Sequence, residues 1–310
     1  MTERKRQRSR YRVLKKGYYH LSTDGLKNML LFNNVAQYAY GMIVIGLLTL
    51  KYDVVVYSFS LMPNHIHIIM SGTGNACVNA FDYIHRKLSR RLVKDGYPPL
   101  PEDYGFKLVP IENETQMRRN IIYVDRNAYE KLICVPGGYV WGTCYTHFSQ
   151  MKLLAEARRA DSFSIREKKS ITCSHETIPD NWLFHPVVGL LPSSFIDTQL
   201  FNKLFKSPKD YLIRLVKDYE AFVTVARSLD EIVEYSTEES KDLVQKTSHE
   251  MFKGRSLSQL DQNEKGNLTV RLYKDYQLSV EQIALSINMP KHIVQQLLRA
   301  KDYGNIKELP

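Results

Sequence analysis

The chain is poor in the features that would place it quickly. Its 310 residues include only four cysteines, Cys77, Cys134, Cys144 and Cys173, with no CxxC pair and no regular spacing. That argues against a zinc ribbon or a disulfide scaffold and fits a reducing compartment. Long hydrophobic runs are missing too. The most apolar stretch, residues 41–50, is too short to span a bilayer and reads as a buried helix end. No apolar segment follows the basic N-terminal residues, so a signal peptide is not expected. Acidic residues are absent from two informative places: none lies between Ser58 and Asn79, and none between Ile84 and Val93. A cytoplasmic protein with no membrane association is expected.

What is present is positive charge. The formal net charge is +10, and residues 2–16 carry eight Lys or Arg against one Glu. A balance of that size points to a polyanionic partner, either nucleic acid or an anionic membrane. The first 16 residues read as a basic arm. Apolar content of 44% and charged content of 25% describe an ordinary globular chain, long enough for two domains.

Two histidines organise the reading. In Leu61-Met62-Pro63-Asn64-His65-Ile66-His67-Ile68 they stand one residue apart in an apolar run behind a Pro-Asn turn. Side chains at i and i+2 of a strand share a face. His65 and His67 therefore project together while Ile66 and Ile68 point the other way. Two imidazoles on one strand make half of a divalent-metal site. The acid-free surroundings leave no carboxylate base for a zinc hydrolase.

Around this pair the pattern predicts a strand at 17–22, a helix at 35–52 capped by Asn33-Asn34, and hairpin strands at 54–62 and 65–70. An amphipathic helix follows at 75–95, then a strand at 106–111 and a helix at 115–129. The order β-α-β-β-α-β-α suggests an α+β, ferredoxin-like domain at 17–150, its antiparallel sheet covered by helices on one face and open for a site on the other. The polar face of the 75–95 helix carries Arg86, Lys87, Arg90 and Arg91, placed to meet phosphate. Arg118 and Arg119 begin the last helix and are further DNA-binding candidates.

That last helix holds the candidate reactive group. Tyr123 and Asn127 are spaced i, i+4 and share a face. Asn127 can offer an oxygen to a hard cation alongside the histidines, and Tyr123 can act as a nucleophile. Tyr129 is a second tyrosine in reach.

The chain resembles the single-tyrosine HUH transposases, and more closely the REP-associated tyrosine transposases. The resemblance rests on Met62-Pro63-Asn64-His65-Ile66-His67, the basic helix, Gly105-Phe106-Lys107, and Tyr123-Val124-Asp125-Arg126-Asn127, over about residues 10–150. It implies a bacterial enzyme that cuts single-stranded or hairpin DNA with Mg²⁺ or Mn²⁺. His65, His67 and Asn127 would hold the metal and Tyr123 would form a 5′-phosphotyrosine. The family commonly has His two residues after the tyrosine and Pro after the Asn; here Asp125 and Ala128 stand there. Family members include homodimers that swap the tyrosine helix and monomers that do not.

The second half reads as a linker at 151–192 and a helical domain at 193–310. A helix-turn-helix is expected at about 268–300: Ser279 with Gln282 forms a capping box, and Asn288-Met289-Pro290 makes the turn. Lys291, His292, Gln295, Gln296 and Arg299 would line the exposed face of its second helix. Two other readings remain open, a sequence-specific DNA-binding regulator derived from a transposase and an HUH relaxase or replication initiator.

Overall fold

The computed structural model describes residues 3–130, 138–147, 150–217, 225–226, 228–229, 235, 237–276 and 278–304. The chain forms two compact units, 1–229 and 230–310.

The first unit opens with a correction. The basic segment is a helix, α1 (Glu3–Arg12), rather than a loose arm. Arg8 and Arg12 both bond Asp82, and Arg12 also meets Asn75 and Asn79. Two guanidinium groups sharing one carboxylate dock this helix on α3 (Gly74–Lys94), so those two arginines are engaged within the protein.

Strands β1 (Gly17–Thr23), β2 (Val54–Leu61), β3 (Ile66–Gly72) and β4 (Phe106–Ile111) make one antiparallel sheet in the order β2-β3-β1-β4. Between them run α2 (Val35–Lys51), capped by Asn34 on the Gln37 amide, and α3, capped by Thr73 on the Ala76 amide. After β4 comes α4 (Glu114–Glu130). The class is α+β, and the expected β-α-β-β-α-β-α order is found.

Alternation gives the sheet two unlike faces. Leu21, Phe59, Leu61, Ile66 and Ile68 lie on one, buried against Phe81, Ile84 and Leu88 of α3 and the apolar side chains of α2. Helix α2 is apolar around its whole circumference, and such a helix must be covered on both sides. The second cover is the stretch expected to be a linker. After α5 (Gln150–Glu156), the short strands β5 (Arg158–Arg159), β6 (Leu183–His185) and β7 (Gly189–Leu190) form a small sheet, with α6 (Ile165–Thr172) between β5 and β6. Trp182, Phe184, Val188 and Leu190 join the main core. Two glycines permit the close fit. A Cβ on Gly46 would lie 2.2 Å from Leu190 Cδ2, and one on Gly189 (φ +79°) would lie 2.5 Å from the Ala39 carbonyl oxygen.

The second sheet face, expected to be open, is covered as well. Helices α4, α7 (Thr198–Leu204) and α8 (Pro208–Lys217) pack there. Phe201, Leu204, Phe205, Tyr211 and Leu215 join Tyr57, Ile69, Met117, Ile121, Ile122 and Val124 in a second core. Residues 120–128 of α4 are buried on every side, which requires this outer layer. For the same reason the units part after Leu229 and not at 192. The outer edge of β2 is satisfied by residues 141–143 and 196–197: the Leu61 amide bonds Trp141 O at 2.9 Å, and the Asp197 amide bonds Val56 O at 3.0 Å.

The second unit contains helices Thr237–Met251, Gln262–Tyr276, Val280–Ser286 and Lys291–Gly304. Ser279 and Gln282 form the expected capping box, and Asn288 adopts φ +54° in the turn before the last helix. Among the described residues no helix is long and apolar enough to cross a membrane.

Candidate functional site

The site is built on a strand irregularity. Between Val56 and Ser58 the β2–β3 register shifts by one residue, at Tyr57. The bulge puts Ser58 and Ser60 on the same face as Tyr57, while Phe59 and Leu61 stay in the apolar core. Ser60 then pairs across from His67, which pairs across from Ser22 of β1. This is a buried polar row in the middle of a sheet.

Helix α4 lies over that row. Asn120, Tyr123 and Asn127 follow each other at helical spacings and point at it. His67 is 0% exposed; its Nε2 is 3.2 Å from Asn127 Nδ2 and its Nδ1 is 3.1 Å from His20 Nε2. His20, also 0% exposed, has Nδ1 2.7 Å from Asn120 Oδ1. The Tyr123 ring stands edge-on to His67 with centroids 5.4 Å apart, and 5.8 Å from His20. Tyr123 is itself 2% exposed.

His65 precedes β3 rather than starting it. The turn before it is closed by the Met62 amide on His65 O at 2.9 Å. Its ring is perpendicular to that of His67, with centroids 4.8 Å apart, so the two histidines do stand together. His65 Nδ1 is 2.7 Å from Asn64 Oδ1, and Asn64 Nδ2 donates to Leu26 O. His65 also lines an open cleft of about 610 Å³, walled by residues 26–30 and 62–64. The buried group thus has one member at the surface.

The structure brings together His65, His67, Asn127 and Tyr123, and leaves the other named residues elsewhere. Arg86 and Arg90 are exposed on α3, on the opposite side of the sheet from Tyr123. Lys87 is engaged with the Cys173 carbonyl and the Tyr83 ring, and burial lowers its pKa. Arg91 pairs with Asp95 at 2.7 Å and covers Tyr40. The continuous phosphate-facing surface expected on this helix is therefore reduced to two arginines. Arg118 is half-buried and donates to Leu204 O at 3.0 Å, while Arg119 is exposed. In the second unit Lys291, His292, Gln295 and Gln296 are exposed, Lys291 bonding Glu281. The side chains of Tyr129 and Arg299 lie outside the described residues, as does Cys134.

Two residues at the site are not singled out by the sequence, His20 and Asn120, and Asp125 stands out there only as a departure from the motif of the resembled family. His20 and Ser22 alternate in β1, but only the strand order places them beside His67. Asp125 is buried on α4, between Tyr123 and Asn127. It faces away from the sheet's histidines into a hydroxyl cluster, accepting from Tyr211 at 2.6 Å, Thr143 at 3.1 Å and Ser58 at 3.3 Å. Burial pushes its carboxyl up to about 7, against the downward pull of those three donors.

Among the described residues no three His, Cys, Asp or Glu side chains converge as a metal site. A cation here would rest on two imidazoles and the Asn127 amide oxygen. Two imidazole nitrogens and one neutral oxygen, completed by water, fit Mn²⁺ better than Mg²⁺, which prefers an all-oxygen set.

No protein-family model matches the chain, and no curated protein matches it. Among solved structures it is similar to a REP-associated tyrosine transposase bound to a REP hairpin, at a TM-score of 0.36 and 12% identity, over 44% of this chain and 82% of that one.

Proposed function

We propose that this chain is a transposase-like endonuclease and strand transferase acting on single-stranded DNA, with Tyr123 as nucleophile. The observation that carries the reading is the convergence of Tyr123, His67 and Asn127. His67 and Asn127 lie 60 residues apart in the chain yet meet at 3.2 Å, with the Tyr123 ring against His67. The sheet order and its intervening helices suit a ferredoxin-like catalytic domain.

In this reading the Tyr123 phenol oxygen bonds to phosphorus and the bond from phosphorus to the 3′-oxygen breaks. The products are a 5′-phosphotyrosine and a 3′-hydroxyl, which gains the proton that Tyr123 gives up. A divalent cation, Mg²⁺ or Mn²⁺, held by His65, His67 and Asn127 would supply charge neutralisation at the scissile phosphate. Because one phosphodiester replaces another, a DNA 3′-hydroxyl can reverse the step without ATP. His20 and His67 fix the Tyr123 ring, and its burial excludes water, which favours strand exchange over hydrolysis. The strand would enter by the cleft at His65, and reaching Tyr123 requires movement of the covering side chains. Hairpins with unpaired bases are the expected substrates.

The helices Val280–Ser286 and Lys291–Gly304 suit a helix-turn-helix in which His292, Gln295 and Gln296 read DNA. One observation favours a second reading, a DNA-binding regulator without catalysis: Tyr123 and His67 are both almost fully buried. A denaturing-gel assay separates the two. Labelled hairpins from the DNA flanking the gene are incubated with the protein and Mn²⁺, with and without EDTA. A covalent adduct that needs metal and disappears in Tyr123→Phe supports the transferase. Binding without any adduct supports the regulator.

A further inference from the structure

The hydrogen bonds around the two histidines have a direction that can be worked out from groups able only to accept or only to donate. Asn120 Nδ2 donates to the Gln116 carbonyl oxygen at 2.8 Å. That fixes the amide, so Oδ1 is the end that faces His20 and must accept from Nδ1–H. Asn127 Nδ2 can only donate and lies 3.2 Å from His67 Nε2, so that nitrogen carries no proton and the chain runs between neutral imidazoles. His20 Nε2 is then an acceptor, and His67 Nδ1 must be the donor to it at 3.1 Å. His67 Nε2 is left as an acceptor, directed at Asn127, whose Nδ2 sits against it at 3.2 Å.

The same logic holds at His65 by a separate route. Asn64 Nδ2 donates to the Leu26 carbonyl oxygen at 3.2 Å, so Asn64 Oδ1 accepts from His65 Nδ1–H and Nε2 is again the acceptor. Two independent asparagine clamps, each anchored on a backbone carbonyl, set both imidazoles to the same tautomer. A histidine ligates a metal through an unprotonated nitrogen, and its other N–H needs a partner that holds the ring.

We infer that His20 is a positioning residue. Backed by Asn120, it holds His67 in the Nδ1–H tautomer and so presents Nε2 for a divalent cation, while the Asn127 amide occupies that lone pair until the cation arrives. Binding then requires Asn127 to turn its amide, exchanging Nδ2 for Oδ1 at the site. The inference rests on the metal-binding part of the proposed function, though not on Tyr123 chemistry.

The test uses the full chain, with Mn²⁺ alone as probe. Nitrogen NMR of ¹⁵N-histidine-labelled, metal-free protein reads the tautomer of His67, and calorimetry reads Mn²⁺ affinity. The comparison set is His20→Leu, Asn120→Leu and His20→Gln, whose side-chain oxygen can stand the same number of bonds from the main chain as Nε2. Thermal unfolding confirms that each variant folds. The expected result is an Nδ1–H His67 in the wild type, with Mn²⁺ affinity about 10- to 100-fold weaker in the two leucine variants. Affinity should be largely restored in His20→Gln. A merely structural His20 would lower the unfolding temperature and leave the Mn²⁺ affinity of the folded protein unchanged; that result overturns the inference and spares the proposed function. An Nε2–H His67 in the wild type also overturns it. A wild-type protein that takes up no Mn²⁺ overturns the metal reading, and this inference with it.

Discussion

Tyr211 donates its phenolic hydrogen to Asp125 Oδ2 at 2.6 Å, tying α8 to the helix that carries Tyr123. Both side chains are buried, and Cys144 Sγ lies 3.3 Å from the same phenol oxygen. Burial first, and above about pH 7 also the charge of Asp125, raises the Tyr211 hydroxyl well above its ordinary value, so it remains a donor across the working pH range. The layer outside α4 is thus held by a polar clasp as well as by apolar contact.

Burial of Asp125, which outweighs the pull of its hydrogen-bond donors, makes stability depend on pH. Asp125 loses its proton near 3.8 in the unfolded chain but keeps it to about 7 when folded. Between those values the folded state binds more protons, so raising the pH favours unfolding. The slope for one such group is at most about 1.4 kcal/mol per pH unit. The contribution is full at low pH, is lost as pH rises through about 7, and is flat above. Denaturant unfolding from pH 5 to 8 should reveal it, and Asp125→Asn should flatten it. An Asp125→Asn curve parallel to the wild type would assign the slope to another group.

Gly189→Ala should lower stability by about 2–3 kcal/mol, since it combines a left-handed backbone with a clash against the Ala39 carbonyl oxygen. Thermal unfolding is the measurement. A neutral substitution would mean that residues 183–190 can lift away from α2 at little cost.

Two truncations should behave oppositely. A chain ending at Leu229 keeps the whole first unit and should retain its near-ultraviolet circular dichroism. A chain ending at Leu190 lacks Phe201, Leu204, Phe205, Tyr211 and Leu215 of the core around α4. At about 1.5–3 kcal/mol for each large buried side chain, that loss rivals a whole domain's stability. The shorter chain should be unfolded or rapidly digested by trypsin. Equal protease resistance of the two would make α7 and α8 dispensable.

The exposed arginines of α3 should matter to DNA more than their engaged neighbours. Replacing Arg86 and Arg90 with alanine should weaken binding of single strands and shallow its salt dependence, by about 0.7 in the log–log slope for each phosphate no longer neutralised. Lys87→Ala and Arg91→Ala should instead lower the unfolding temperature. Salt titrations of affinity, paired with melting curves, would show the division, and identical slopes for all four variants would refute it.

The first 130 residues are largely legible in the sequence, for a physical reason. Strands of six to eight residues and helices of 17 to 21 are long enough for period and cap signals to accumulate, as at Asn34. Residues 151–192 read as a linker because strands of two or three residues carry no period. Their polar composition belongs to the exposed side of α6, while Trp182, Phe184 and Leu190 do the packing. Local spacing gives the two pairs, His65 with His67 and Tyr123 with Asn127; that the pairs meet comes from the resemblance, because His67 and Asn127 lie 60 residues apart. The place of His20 is not legible, because its nearness to His67 depends on β1 lying beside β3, a long-range pairing that no short window contains. The covered second face of the sheet is equally hidden: the apolar residues of α7 and α8 look like part of a separate helical domain until their partners on α4 are known.

The bulge at Tyr57 has a further meaning. Strand β2 writes two messages in alternate letters, one in serine for the site and one in Phe59 and Leu61 for the core. The extra residue is the reading-frame mark that keeps them in phase. Delete it and no chemical group is lost from 58–61, yet every one of those side chains changes its audience: benzyl and isobutyl groups would face His67, and hydroxyls would face Ile68. Side chains on either face can therefore be exchanged one at a time, whereas a single-residue insertion or deletion between 54 and 61 would turn both faces over.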